Sequence, residues 1–306
     1  MRERVLITGG SGLIGRRLTA LLAGQGYEVA WLSRGEPHQA TVPVFGWNPA
    51  AHTIDRAAIE WADHVVHLAG AGVAERRWTA QRRQLILSSR VQGTRLLAEA
   101  IADAADKPSS VIAASATGRY GVDTGDRWVG ENDPVGSDFL ADVVRRWESE
   151  VDAIADLDVR CVTIRIGIVL SRDGGALPKI AAPFAAGLGA PVGSGKQYMS
   201  WIHIDDLCRM IAGALIDRAW SGAYNGVAPH PVTNAAFSRA LARTLGKRIL
   251  LPPVPSFVLQ IAMGEMAGIV LGGVRASSSK AVAAGAAFDY ATVQAALDAL
   301  YPAQLR

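Results

Sequence analysis

Two hydrophobic rhythms alternate along the first two-thirds of the chain. Short β-branched runs at Arg4-Val5-Leu6-Ile7, Tyr27 to Leu32, His64-Val65-Val66-His67-Leu68 and Ser110 to Ala114 read as strands. Between them the apolar positions fall at helical spacing. Gly12 to Ala23 carries Leu13, Ile14, Leu18, Leu21 and Leu22, and Arg83 to Ala104 and Ser137 to Ile154 predict two further helices. Val159 to Leu170 is almost continuously apolar and predicts one long buried strand. Strands of this kind alternating with helices imply βαβ units and an α/β fold whose parallel sheet is covered on both faces.

After Leu170 the rhythm is lost in a stretch rich in Gly, Ala and Pro. Trp201-Ile202-His203-Ile204 then predicts one more strand, and Asp205 is expected to cap a helix running to about Asp217. From Ser221 onward the pattern predicts helices and loops, with a turn at Leu251-Pro252-Pro253-Val254-Pro255. The expected organisation is a sheet domain over 1–170, with a return of about 201–220. A smaller, partly interleaved C-terminal α/β domain over 171–306 faces the substrate. Ser256 to Val274 is the stretch nearest to a membrane span, but it carries Gln260, Glu265 and several glycines, so a core or groove-lining helix is expected.

The first strand and first helix are joined by Thr8-Gly9-Gly10-Ser11-Gly12-Leu13-Ile14-Gly15. Glycines in this context permit a tight turn, let backbone N–H groups approach a pyrophosphate, and let the helix pack on the sheet. A dinucleotide site on a Rossmann-like doubly wound sheet follows. At the end of the second strand, a carboxylate would select the ribose hydroxyl of NAD. Ser33-Arg34 stands there instead, and Glu36 falls in the next loop. A guanidinium pairs with a 2′-phosphate, so NADP(H) is the expected cofactor.

Composition narrows the partners. Of 306 residues, 50% are hydrophobic and 19% charged, which excludes a disordered chain, and 2 Cys exclude a disulfide scaffold. The net charge of +3 comes without any long Lys/Arg tract, so no nucleic-acid partner is expected. Met1 to Arg4 and the short apolar run after it do not make a signal peptide. A cytoplasmic location without membrane attachment is expected, with Cys161 and Cys208 reduced, buried and inert. The six His show no metal-ligand spacing, so no metal is expected. Gly193-Ser194-Gly195-Lys196 is not a phosphate loop, because Ala190 and Gln197 break the pattern.

In order along the chain, TGGSGLIG at 8–15, VVHLAG at 65–70, VQGTRLLAEA at 91–100, Tyr120-Gly121, RIGIVL at 165–170 and GSGKQYMSWIHIDDL at 193–207 resemble the extended short-chain dehydrogenases/reductases, the NAD(P)-dependent epimerase/dehydratase-like proteins. The chain is most similar to an atypical branch with its own C-terminal domain. The markers are Arg77-Trp78-Thr79, Ser89-Arg90, SATGRYG at 115–121, FLADVVRRWE at 139–148, GEMAGIVLGGVR at 264–275 and AGAAFDY at 284–290. The resemblance implies NADP(H) held by Gly9, Gly12, Leu13, Ile14, Gly15, Ser33, Arg34, Leu68, Ala69 and Arg90, with Gly70 and Gly72 close by. Arg90 replaces an Asn of ordinary members, and a second guanidinium near the cofactor suits a doubly charged 2′-phosphate. Family members often dimerise through two helices, so a monomer or a homodimer is expected.

In ordinary members a Ser or Thr, a Tyr and a Lys move the proton. Here the Ser/Thr position is Ala116, and the helix from Asp138 to Glu148 offers Phe139, Leu140, Val143 and Val144 with no Tyr or Lys. Thr117 and Tyr120 are the candidate catalytic replacements, with Ser115 weaker. The alternative for each is a hydroxyl satisfied by its surroundings. Arg119, where the branch usually has an aromatic, either turns a charge toward the cleft or points to solvent. The expected function is an NADP(H)-dependent oxidoreductase or epimerase-like protein acting on an unassigned small molecule. The alternative is a non-catalytic NADP(H)-binding regulatory or sensor protein. Epimerisation of a nucleotide sugar lacks its acid/base residues.

Overall fold

The computed structural model describes residues 2–35 and 40–302. Its first half follows the expected alternation: β1 (Arg4–Thr8), α1 (Leu13–Gly24), β2 (Glu28–Ser33), β3 (Val44–Asn48), β4 (Thr53–Ile54), α2 (Ala57–Trp61), β5 (His64–His67), α3 (Ala80–Asp103), β6 (Ser110–Ala116), β7 (Trp128–Val129), α4 (Phe139–Ala155) and β8 (Arg160–Ile166). Side-chain caps set the helix starts. Thr79 accepts from the Arg82 N–H ahead of α3, and Asp138 accepts from the Leu140 and Ala141 N–H groups ahead of α4.

After β8 come β9 (Ile168–Leu170), α5 (Leu177–Ala185), β10 (Tyr198–Met199), β11 (Trp201–His203), α6 (Ile204–Ile216), β12 (Gly222–Gly226), β13 (Val232–Thr233), α7 (Asn234–Thr244), α8 (Ser256–Met263), α9 (Gly268–Leu271), β14 (Arg275–Ala276), α10 (Ser279–Ala283) and α11 (Val293–Leu300). The main sheet has 8 strands in the order β12-β8-β6-β5-β1-β2-β3-β4, all parallel except the β3–β4 pair. This is the α/β, doubly wound arrangement. Strand order reverses between β1 and β5, and ligands bind in the crevice at such a switch point.

Alternation along β1 divides the core. Val5 and Ile7 face Leu18, Leu22, Leu207 and Ile211 of α1 and α6, whereas Leu6 faces the side of Leu97 and Ile101 of α3 and Val151 and Ile154 of α4. A separate C-terminal core gathers Leu177, Phe184, Trp201, Phe237, Leu241 and Leu297.

The long strand expected over Val159 to Leu170 is two. β8 ends at Ile166, and β9 leaves the main sheet to pair with β11. Gly167 makes the break: a Cβ there would lie 2.4 Å from the Ser200 carbonyl oxygen, which accepts from the Ile168 N–H at 2.8 Å. The expected Asp205 cap is also corrected. His203 Nδ1 accepts from the Asp205 N–H at 3.1 Å, and the Asp205 carboxylate pairs with Arg17 of α1 at 2.5 Å.

The segment after Ser221 is not purely helical. β12 lies along β8 and extends the main sheet, although Gly222-Ala223-Tyr224-Asn225-Gly226 offers little β-branched signal. The apolar stretch from Ser256 is broken at Gly264, whose φ is +61°, and α8 buries none of its residues. It lines a groove instead of entering the core. Among the described residues, no helix is long and apolar enough to cross a membrane.

Gly167→Ala forces the backbone away from Ser200 and should lower stability by about 1–3 kcal/mol. Urea unfolding should show the midpoint falling with the slope unchanged.

Candidate functional site at the strand switch

The crevice is built by the glycine turn. Gly9 has φ +69°, and a Cβ on it would sit 3.1 Å from the backbone of Leu68 and Ala69, so only glycine lets the turns after β1 and β5 touch. Gly15 meets the turn from the helix side, where a Cβ would lie 2.4 Å from the Gly9 oxygen. Gly10 has a different task, because its missing Cβ makes room for the Trp31 indole. Gly12 takes the N-cap position of α1 without a side-chain cap, and the first turn carries no acid. The amides of Leu13, Ile14 and Gly15 have no acceptor among the described residues. A bare helix N-terminus of this kind presents donors and a positive dipole to an anion.

Buried hydrogen bonds fix the facing turn. Thr8 Oγ1 accepts from the Leu68 and Ala69 N–H groups at 3.1 and 3.2 Å, so its own proton goes to His67 Nδ1 at 2.7 Å. His67 Nε2–H then donates to Thr94 Oγ1 at 3.0 Å, and the Thr94 hydroxyl donates to the Arg90 carbonyl at 2.8 Å. This order requires a neutral imidazole, and burial pushes the His67 pKa down to about 4.

Arg90 clasps the same turn. Its Nη1 donates to the carbonyls of Ala71 and Ile86 at 2.9 and 3.0 Å, and its guanidinium lies 5.1 Å from the Trp147 ring centre and against Gly70. Burial, with Arg82 nearby, lowers its pKa to about 10, so it stays charged at neutral pH. No carboxylate pairs with it among the described residues.

Ser33 and Arg34 lie at the end of β2, across β1 from the turn after β5. Arg34 is exposed and has no ion-pair partner among the described residues. Arg34 directly follows β2, and Arg90 lies on α3, which packs across the face formed by β5, β1 and β2. Glu36 lies outside the described residues.

At the end of β6, Ala116 leads into a 3₁₀ turn from Thr117 to Tyr120. Thr117 is half-buried, and its hydroxyl has no partner among the described residues. Leu140 of α4 packs on this turn, 3.6 Å from the Cβ that Gly118 lacks. Tyr120 is differently placed. Its hydroxyl donates to Asn225 Oδ1 at 2.7 Å and accepts from Arg165 Nη1 at 3.0 Å, deep in the interior. Burial raises its pKa against the pull of Arg165. Both sides of the hydroxyl of Tyr120, the sequence's second candidate acid/base, are thus engaged by scaffold groups.

Ser115 is likewise occupied, donating to Glu148 at 2.6 Å. Arg119 turns inward to Glu148 at 3.0 Å rather than to solvent or the cleft. Glu148 also receives a two-point contact from Arg165 at 2.9 and 3.0 Å. Sequence reasoning passed over Glu148, Arg165 and Asn225. The available signal was Arg165, a charge inside an otherwise apolar strand, which must be paired to be buried.

Cys161 and Cys208 are free and buried, and burial pushes both thiols up to about 12. Among the described residues, no group of three His, Cys, Asp or Glu is arranged to hold a metal.

The profile of the NAD dependent epimerase/dehydratase family matches residues 5–225, and a domain of unknown function, DUF1731, matches residues 254–300. The epimerase family protein Mb2239 of Mycobacterium bovis is 39% identical over 295 residues, covering 96% of each chain. The crystal structure of human epimerase family protein SDR39U1 with NADPH is 33% identical, with a TM-score of 0.87, covering 97% of this chain and 99% of that one. A nucleoside-diphosphate sugar epimerase from Corynebacterium glutamicum is 35% identical with a TM-score of 0.81, covering 98% of this chain and 59% of that one.

The buried His67 gives a pH signature. Its pKa is about 4 in the fold and about 6.5 when unfolded, so its contribution to stability is complete above about pH 6.5 and is lost as pH falls toward 4. Urea midpoints at pH 7 and 4.5 should show the wild type losing about 2–3 kcal/mol more than His67→Gln. Equal losses would remove His67 as the cause.

Proposed function

The chain belongs to the NAD dependent epimerase/dehydratase family, and from that premise we propose that it binds NADP(H) and reduces or oxidises a small carbonyl or alcohol substrate. One observation carries the reading: the crevice at the strand switch gathers donors and cations that no carboxylate partners. These are the first amides of α1, the exposed Arg34 guanidinium and the half-buried Arg90, whose only acceptors are backbone carbonyls, among the described residues. A partly buried cation without a counter-charge favours an anion beside it. The relative crystallised with NADPH matches almost the full length of the chain.

The residues divide the work of holding the cofactor. Gly9, Gly12, Leu13, Ile14 and Gly15 cradle the pyrophosphate, Ser33 and Arg34 take the adenosine 2′-phosphate, and Leu68, Ala69 and Gly70 form the opposite wall. Arg90 fixes that wall and supplies positive charge beside it. When bound, the reduced nicotinamide supplies a hydride, two electrons with one hydrogen nucleus, to the carbonyl carbon.

Thr117 is the hydroxyl left unengaged at the end of β6. It donates a hydrogen bond to the carbonyl oxygen, stabilising the alkoxide left when the C=O π pair moves onto oxygen. That alkoxide takes its proton from water through the Thr117 hydroxyl, giving an alcohol. Leu140, Val143 and Val144 stand where ordinary members carry proton-transferring groups, and they transfer no proton.

Those same apolar side chains favour a second reading, an NADP(H)-binding regulatory or sensor protein without turnover. NADPH oxidation at background across a broad carbonyl panel, with NADPH still bound, would select it.

Two substitutions separate the roles. Arg34→Asp should reduce the preference for NADPH over NADH by about tenfold or more in a fluorescence titration, the equivalent of about 1.4 kcal/mol. An unchanged preference removes Arg34 from the site. Thr117→Val should lower kcat about 100-fold with the NADPH Kd unchanged. An unchanged kcat assigns the hydrogen bond elsewhere.

A further inference from the structure

Among the described residues, five of the eleven exposed large hydrophobic side chains fall in one short stretch: Leu250, Leu251, Phe257, Val258 and Ile261. Phe257 is 61% exposed, Ile261 73% and Leu250 79%. Such clustering marks a surface that another body covers. Leu259 and Met263 of α8 are half-buried, so that side of the helix rests on the protein. Phe257, Val258 and Ile261 share the opposite side by their spacing, and all three are exposed. Val122, also exposed, continues the apolar surface beside Gln260 and Gly268.

The charges around this strip have one sign. Between Asp217 and Glu265 the chain has no Asp or Glu, but it has Arg218, Arg239, Arg243, Lys247 and Arg248. The whole chain has 31 basic and 28 acidic residues, so its excess of positive charge is concentrated here. Lys247 and Arg248 open the strip; both are exposed and neither has an ion-pair partner among the described residues. At its other end the Arg77 guanidinium lies 3.2 Å from the Cβ that Gly264 lacks. Arg77 has no ion-pair partner among the described residues either. The neighbouring carboxylates are engaged: Glu265 pairs with Arg83, and Asp123 accepts from the Gly125 N–H at 2.9 Å. Unpaired cations therefore flank an apolar strip at both ends.

This arrangement discriminates between occupants. A second copy seated on the same strip would set cations against cations, whichever way the two strips ran. A partner adding a strand would meet Pro252, Pro253 and Pro255, which lack the N–H that such pairing needs. An anionic bilayer offers hydrocarbon to the strip and phosphate to its flanks, and it repels carboxylates, of which the strip has none. With eight residues, α8 is about 12 Å long. It is too short to span a bilayer and long enough to lie in its interface.

We propose that residues 247–264, together with Arg77, form a docking surface for anionic phospholipid bilayers. Leu250, Leu251, Phe257, Val258 and Ile261 enter the interface, and Lys247, Arg248 and Arg77 meet the headgroup phosphates. The contact is peripheral, and it replaces the absence of membrane attachment expected from the sequence. It does not depend on the oxidoreductase reading.

The test is co-sedimentation of the full chain with vesicles of phosphatidylcholine alone, and of phosphatidylcholine with an equal part of phosphatidylglycerol. The wild type should bind the anionic vesicles at least tenfold more tightly, and added salt should weaken that binding. Phe257→Ser with Ile261→Ser, and Lys247→Glu with Arg248→Glu, should each weaken it at least tenfold. All four positions are exposed, so urea midpoints and the NADPH Kd should stay at wild-type values. Arg56→Glu, at the β4 edge of the main sheet, should bind like the wild type. No binding to the anionic vesicles, equal binding to both kinds, or binding that either double variant leaves unchanged would overturn the proposal. Equal weakening by Arg56→Glu would also overturn it, because diffuse charge would then suffice. A wild-type dimer that Phe257→Ser with Ile261→Ser dissociates, without vesicle binding, would assign the strip to a second copy and overturn it too.

Discussion

A single buried charge organises the centre of the molecule. Arg165 lies in the interior of β8, where an unpaired guanidinium would be prohibitive, and Glu148 of α4 meets it with both carboxylate oxygens. The remaining donors reach the Tyr120 hydroxyl and the Glu131 carbonyl. Tyr120 passes the network to Asn225 of β12, whose own N–H donates to Glu131 Oε1 and whose amide donates to Ser277 near α10. Sheet, α4, the Thr117 turn and the C-terminal segment are thereby held in one register. Thr117 and the strand ends keep a fixed geometry because this network lies beneath them.

The crevice depends on a second constraint, steric rather than electrostatic. The turns after β1 and β5 approach so closely that no side chain fits at Gly9, and α1 approaches the first turn so closely that none fits at Gly15. The Thr8–His67–Thr94 hydrogen bonds then orient the second turn from below. Close backbone approach leaves amides, not side chains, on the surface of the crevice. Such a surface suits a phosphate and is indifferent to the chemistry carried out further along.

Much of this was legible in the sequence, for identifiable reasons. The strand–glycine–helix succession at 4–24 has one reading, because glycine spacing, β-branched residues and helical periodicity agree there. The Rossmann-like sheet follows from similar agreement in later units. What escaped was decided by contacts between distant segments. Nothing local says that Gly167 must yield to Ser200, that Gly222 to Gly226 will find an open edge beside β8, or that Asp205 will pair with Arg17 and leave capping to His203. At the site, Thr117 and Tyr120 are equivalent as hydroxyls in a sequence. They differ because one has no hydroxyl partner among the described residues, and the other ends between Arg165 and Asn225.

The departure of the chain at Gly167 and its return as β12 also govern how the molecule can be divided. The stretch between these points contributes α5 to the C-terminal core, β11 as partner of β9, and α6 as cover for the main sheet. A cut near residue 170 would strip the sheet of its last strand and part of one helical layer. It would leave the β8 edge unpaired, with its N–H and C=O groups open to any passing strand. The N-terminal portion is therefore not a detachable cofactor module. The two lobes share a chain that crosses between them repeatedly, so any relative motion must be a twist about several strands at once rather than the swing of a single hinge.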